Sequence, residues 1–186
     1  MRVITGSARG RKLTALEGDD VRPTTDMVKE AIFSIIQFEI EGARVLDLFS
    51  GTGQLGIEAV SRGAKSCRFV DGASESVKCT KDNIAACGFT QQCTVTQADS
   101  IDFLRMARLE FDIAFLDPPY RKGLIEKAMP LLESKMSDRG IAVCEHEKEL
   151  TLPDEYGRLK KAKTYRYGKI GVTVYRVPVY DEEEDI

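Results

Sequence analysis

The tetrapeptide Asp117-Pro118-Pro119-Tyr120 follows the apolar run FDIAFL and gathers acceptors beside an aromatic ring. Two prolines remove two backbone donors and stiffen the segment, which leaves carbonyl oxygens, a carboxylate and a phenol. Such a place suits a flat group that carries only donors, and the exocyclic amine of a nucleobase is one. That amine is a poor nucleophile because its lone pair is delocalised into the ring. Asp117 and the Pro118 carbonyl can each accept one amine hydrogen while Tyr120 stacks on the base, which frees the lone pair for attack on an electrophilic methyl group. A purely structural proline turn competes with this reading, and it is the weaker one where the motif ends the fourth strand of an alternating chain.

Four apolar segments close on an aspartate: Asp47, Asp71, Asp99 and Asp117. In an open parallel sheet ligands bind outside the carboxyl ends of the strands, so acids placed there converge on one crevice. Each alone reads equally well as a helix cap or a solvated loop acid; four in register argue for a site. Gly51-Thr52-Gly53-Gln54-Leu55-Gly56 matches G-x-G-x-x-G, and Asp71 lies twenty residues after Gly51, as in a dinucleotide fingerprint. A nicotinamide dinucleotide fits poorly, since Asp47 would set a carboxylate against a pyrophosphate and little chain is left for a substrate domain. A ligand with an ammonium, a sulfonium, a ribose and an adenine suits the acids better, and S-adenosylmethionine is that ligand. Gly51 and Gly53 would let the backbone approach its methionine part, with Asp47 near the amino group. Asp71 would accept from the ribose hydroxyls and Asp99 from the adenine amine.

The elements that must hold these residues alternate. RVIT and RKLTAL read as two short strands around GSARG. After Arg22-Pro23, the cluster Thr24, Thr25, Asp26 can cap a helix that Gly42 ends. Strands at 44–49, 66–71, 92–99, 111–117 and 140–146 alternate with helices, including one capped by Ser100 and one interrupted by Pro130, so a parallel sheet with helices on both faces is expected. YRYGKIGVTVYRV around Gly168 predicts an antiparallel pair at the end.

Composition sets the class. With 186 residues, 42% hydrophobic and 31% charged, the chain can bury a real core and is neither disordered nor fibrous. No apolar run reaches membrane-span length and no signal-peptide order opens the chain, so a cytoplasmic protein is expected. Five cysteines form no C-x-x-C pair and accompany one histidine, which argues against zinc and against a disulfide framework; most are expected to be buried thiols. His146 reads as a surface or sheet-edge residue without a dyad partner. The tail DEEEDI carries five acids, and without them the formal net charge of −3 becomes +2. Bases concentrate at 158–169, which hold six Lys or Arg, and at Arg9, Arg11, Lys12 and Arg22, where a polyanion could bind.

DLFSGTG, VDG, the acid at 99 and DPPY resemble the motif series of class I S-adenosylmethionine methyltransferases that act on exocyclic amines. RVITGSARGRKL, VRPTTDMVKEAIFSII and DLFSGTGQLGIEAVSRGA resemble more closely the RsmD family of bacterial 16S rRNA guanine-N2 methyltransferases, nearly end to end. The resemblance implies a Rossmann-like α/β fold with a seven-stranded, mostly parallel sheet. It divides the chain into a basic N-terminal β-hairpin (1–22), a methyltransferase domain (23–180) and an acidic tail (181–186). It implies Asp117, Pro118, Pro119 and Tyr120 as the catalytic loop. Asp47, Phe49, Gly51, Gly53, Asp71, Asp99 and Ser100 would bind S-adenosylmethionine, with S-adenosylhomocysteine as product. The implied partner is 16S rRNA, naked or within an assembled or assembling small subunit, contacted by Arg9, Arg11, Lys12 and Arg22. Neither membrane nor metal is expected, because the sulfonium is its own leaving group. A DNA adenine-N6 methyltransferase is the alternative enzyme, disfavoured because no DNA-recognition domain fits in the chain. A noncatalytic RNA-binding assembly module is disfavoured by an intact DPPY beside an intact glycine loop.

Overall fold

The computed structural model describes residues 1–17 and 25–179. Arg22, Pro23 and Thr24 of the expected helix entry, and the tail at 181–186, lie outside the described residues. Along the chain run α1 (Thr25–Ile35), β1 (Arg44–Leu48), α2 (Gln54–Ser61), β2 (Ser66–Asp71), α3 (Ser74–Cys87), β3 (Cys93–Gln97) and α4 (Ser100–Met106). Then follow β4 (Phe111–Leu116), α5 (Leu124–Leu132), β5 (Met136–Glu147), β6 (Glu155–Tyr156), β7 (Leu159–Tyr167) and β8 (Ile170–Arg176). All strands join one sheet in the order β3-β2-β1-β4-β5-β8-β7-β6. The first five are parallel and the last three antiparallel. The sheet has one strand more than the expected seven, the two-residue β6.

Alternation along the strands explains why they read as unbroken apolar runs. Val45, Phe69, Phe115 and Val143 join α1, α2 and α3 in one core through Ile32, Phe33, Ile57 and Ile84. Their neighbours Leu46, Val70, Leu116 and Cys144 join α4 and α5 in a second core through Leu104, Ile125 and Met129. Both faces of the sheet are therefore covered, as expected. Among the described residues no helix is long and apolar enough to cross a membrane, and no group of three or more His, Cys, Asp or Glu could hold a metal ion. All five cysteines are free, three of them buried.

Several local expectations change. The N-terminal segment forms a single antiparallel bridge, Arg2 to Lys12, in place of two strands. It is bound into the body: Val3, Ala8 and Leu13 are buried, and the Ile4 and Thr5 amides donate to the Glu58 carboxylate at 2.8 and 2.9 Å. Glu58 is fully buried and also accepts from Arg62 Nε at 2.9 Å. Lys29, 1% exposed, donates to the Arg2 carbonyl at 2.7 Å and lies 3.9 Å from Glu58. Burial lowers the Lys29 pKa, while Glu58 opposes that shift. Helix α1 ends at Ile35 instead of running to Gly42, and a turn follows it. Asp99, not Ser100, caps α4, its carboxylate accepting from the Ile101 and Asp102 amides. His146 lies inside β5 and is 1% exposed, not at the surface.

Candidate active site

β1 lies between β2 and β4, where the strand order reverses, and loops leaving the carboxyl ends there open a crevice. Leu48 of β1 pairs with Leu116 of β4, so the glycine loop and the Asp117 loop leave the sheet side by side. Phe49, Gly51 and Gly53 all have positive φ, at 64°, 55° and 79°. For Phe49, which is not glycine, this is a strained conformation that the loop must hold in place. The holding groups come from α3: Thr80 Oγ1 donates to the Gly51 carbonyl at 2.8 Å and Asn83 Nδ2 to the Thr52 carbonyl at 2.9 Å. Motif reading missed both. Their signal was a polar i, i+3 pair on a helix face that Val77 and Ile84 otherwise make apolar.

The acids divide by role. Asp71 accepts from the Gly51 amide through one oxygen and the Ala73 amide through the other, each at 2.9 Å, and each oxygen keeps a second lone pair. Asp47 is 2% exposed and accepts from the Gly56 amide at 2.9 Å, at the start of α2. Burial pushes its carboxyl well above the ordinary range; the charges of Asp117 and Asp71 push the same way and the Gly56 amide opposes. Asp117 and Asp71 therefore lie close enough to act on the Asp47 carboxyl, and the structure brings the three acids together. Asp99 is exposed, with Oδ1 taken by its helix cap, and Ser100 is buried at the first helical position. Two further polar atoms flank the glycine loop: Ser50 Oγ and Gln54 Oε1 are buried without a hydrogen-bond partner among the described residues. A Cβ on Gly51 would meet no atom within 4 Å, so its backbone faces open space.

Beyond β4, Pro118 is buried, Pro119 exposed and Tyr120 half-buried, its hydroxyl 3.5 Å from Glu145 Oε1. Arg121 has a φ of 62°, and Gly123 in the left-handed region caps α5. A cavity of about 110 Å³ opens between this loop and the end of β5, lined among others by Pro118, Pro119, Tyr120, Glu145 and His146. His146 has both ring nitrogens engaged, one with the Glu147 carbonyl and one with Thr173 Oγ1, each at 2.8 Å.

The basic segments separate in space. Arg9, Arg11 and Lys12 are exposed around an open concavity of about 320 Å³. Ser7 and Ala8, next to them, bond to Ser61 at the C-terminal end of α2, the end remote from the crevice. In the 158–169 segment, Arg158, Lys160 and Lys161 pair with acids. Arg166 and Lys169 are exposed at the β7–β8 turn and make no ion pair among the described residues. That turn adjoins Glu147, at the crevice end of the sheet.

A sheet of this order, with a glycine loop after β1 and an acid-proline loop after β4, defines the α/β methyltransferase class. The solved Escherichia coli protein provisionally titled methyltransferase yhhF superposes with a TM-score of 0.86 at 31% identity, covering 95% of this chain and 97% of that one. A family model described as Conserved hypothetical protein 95 matches residues 1–176. The chain is 35% identical over 185 residues to ribosomal RNA small subunit methyltransferase D of Haemophilus influenzae, covering 95% of this chain and 92% of that protein. It is 39% identical over 181 residues to a Bacillus subtilis protein provisionally named rRNA methyltransferase YlbH, covering 95% and 98%. The chain belongs to this family, the RsmD family.

Proposed function

We propose that the protein transfers a methyl group from S-adenosylmethionine to the exocyclic N2 amine of a guanine in 16S rRNA, in the cytoplasm, leaving S-adenosylhomocysteine. The observation that carries this reading is the pairing of Leu48 with Leu116, which sets the Gly51–Gly53 loop beside Asp117-Pro118-Pro119-Tyr120. The names of the Haemophilus and Bacillus relatives support an rRNA substrate.

The residues present fit the cofactor. The buried, unpartnered Gln54 Oε1 and Ser50 Oγ offer acceptors to an ammonium group, and the open space at Gly51 admits a ligand against the backbone. Asp47, Phe49, Gly51 and Gly53 would hold the methionine part, Asp71 the ribose, and Asp99 and Ser100 the adenine side. When bound, S-adenosylmethionine supplies a methyl group on a sulfonium, activated for transfer. The Asp117 carboxylate and the Pro118 carbonyl accept the two amine hydrogens, and Pro119 stiffens the loop while Tyr120 stacks on the base. As the amine nitrogen gains positive character, its proton moves to a carboxylate oxygen of Asp117. Arg9, Arg11 and Lys12 contact phosphates; Arg22, of the same set, lies outside the described residues.

Transfer of tritiated methyl groups to rRNA, offered naked and in small subunits, followed by nucleoside analysis, tests this. N2-methylguanosine is the expected product. Label in DNA N6-methyladenine, or no label in rRNA, would overturn the reading.

A further inference from the structure

We infer that Glu145 selects the base: its carboxylate accepts the N1–H of the target guanine next to the amine that Asp117 holds. This rests on the guanine reading above and deepens it. Leu116 pairs with Cys144 in the parallel register of β4 and β5, so Asp117 and Glu145 are the next residues along neighbouring strands, at the same end. Glu145 is half-buried and lines the cavity that Pro118, Pro119 and Tyr120 also line. The carboxylate lies beside the stacking ring, 3.5 Å from the Tyr120 hydroxyl. The strand that carries it is rigid. His146 is locked between the Glu147 carbonyl and Thr173 Oγ1, Thr173 lies 2.9 Å from Thr164 Oγ1, and β5 pairs with β8 over seven residue pairs.

The chemistry follows from the edges of the bases. An acceptor pair such as Asp117 and the Pro118 carbonyl cannot tell one exocyclic amine from another. Guanine places a second donor, N1–H, beside its N2 amine, whereas adenine and cytosine place an unprotonated ring nitrogen beside theirs. A carboxylate in that position accepts from guanine and opposes a lone pair in the other two. A buried group built to bond one edge and left unpaired by another discriminates by two orders of magnitude or more.

The test is a cycle of enzyme and base. Once the modified guanine is mapped, rRNA is ligated with guanine or 2-aminopurine at that position. The analogue keeps the N2 amine and lacks N1–H. Both RNAs are offered naked and in reconstituted small subunits, and kcat/KM is measured for wild type, Glu145→Gln, Glu145→Ala and Tyr120→Phe, with S-adenosylmethionine affinity in parallel. Wild type is expected to favour guanine by about a hundredfold or more. Both Glu145 variants should bring that ratio within about tenfold at unchanged cofactor affinity, and Tyr120→Phe should keep the wild-type ratio. The isosteric Gln variant keeps the test decisive if the Ala variant folds poorly. Equal use of the two RNAs by wild type, an unchanged ratio in Glu145→Gln, or a collapse in Tyr120→Phe would each overturn the assignment. Failure of wild type to methylate any guanine would instead overturn the proposed function.

Discussion

At Asp117 the proposed chemistry and the geometry make a quantitative demand. An acceptor that gains strength as the amine becomes nucleophilic acts mainly in the transition state, so its loss lowers kcat far more than it raises KM. Asp117→Ala should cost about two to three orders of magnitude in kcat, by analogy with other preorganised hydrogen-bonding groups. Asp117→Asn keeps the shape and one acceptor oxygen and should retain part of the activity. Both should bind S-adenosylmethionine nearly as wild type does. Single-turnover methylation with parallel calorimetry checks this, and wild-type turnover in Asp117→Ala would make that acid structural. Asp71 has a second duty that its motif position did not announce, since it also fixes the Gly51 and Ala73 amides. Its substitution should therefore disturb the loop as well as the proposed ribose contact.

Element packing decides how closely the loops approach. A Cβ on Gly56 would sit 2.4 Å from Phe69 Cε1 and 2.6 Å from Cys67 Sγ, so α2 rests on β2 at a distance that only glycine allows. Gly56→Ala should destabilise the protein by about 1 to 3 kcal/mol in denaturant unfolding. It should also weaken cofactor binding, because Asp47 accepts from the Gly56 amide. At the opposite end of the sheet Asp112 at the start of β4 accepts from the Arg44 guanidinium of β1 at 2.9 and 3.0 Å. That bond holds the Asp112 carboxyl at about 2. A depressed carboxylate pKa contributes stability above its unfolded value, near 4, and that stability is lost as pH falls through about 2. Asp112→Asn should cost about 1 kcal/mol at pH 7, discounted for partial exposure, and flatten the stability profile between about pH 4 and pH 2. Thermal melts across that range read it directly.

Over the whole molecule, the two basic regions occupy different places on the fold. Arg9 and Arg11 sit near the C-terminal end of α2, a helix of eight residues and so about 12 Å long. Arg166 and Lys169 flank the crevice end. An RNA held at both would have its phosphates fixing position and the crevice choosing the base. Replacing Arg9, Arg11 and Lys12 together by Ala should weaken RNA binding at low salt, reduce the salt slope by roughly one for each phosphate no longer neutralised, and spare cofactor binding. Filter binding over a salt series checks this. An unchanged affinity would assign the phosphates to the β7–β8 turn.

The chemistry-bearing loops and the order of elements were legible from residue order alone. Glycine spacing, apolar periodicity and the DPPY tetrapeptide are local properties, and local properties survive in a one-dimensional string. Strands β1, β2, β3, β4, β5 and β8 fall where the sequence predicts, to within a few residues, whereas β7 starts at Leu159, well before the run that announced it. Contacts between residues far apart in the chain were not legible. The buried Glu58 reads in the sequence as one more helix-surface acid, yet it holds the Ile4 and Thr5 amides from more than fifty residues away. Thr80 and Asn83 stand out in the sequence only as a polar pair on an apolar helix face, and what they hold is visible once the fold sets them under the glycine loop. Half the bases of the 158–169 segment prove to be paired with acids: Arg158 with Glu133 just after α5, Lys160 with Glu155 of β6 and Lys161 with Asp154 before it. Glu145 became a candidate reader of the base only when the register of β4 and β5 set it beside Asp117. Residue types and spacing determined what chemistry the chain can do. Which side chains share a cavity was decided by strand register and helix packing, because burial and pairing are properties of neighbours in space.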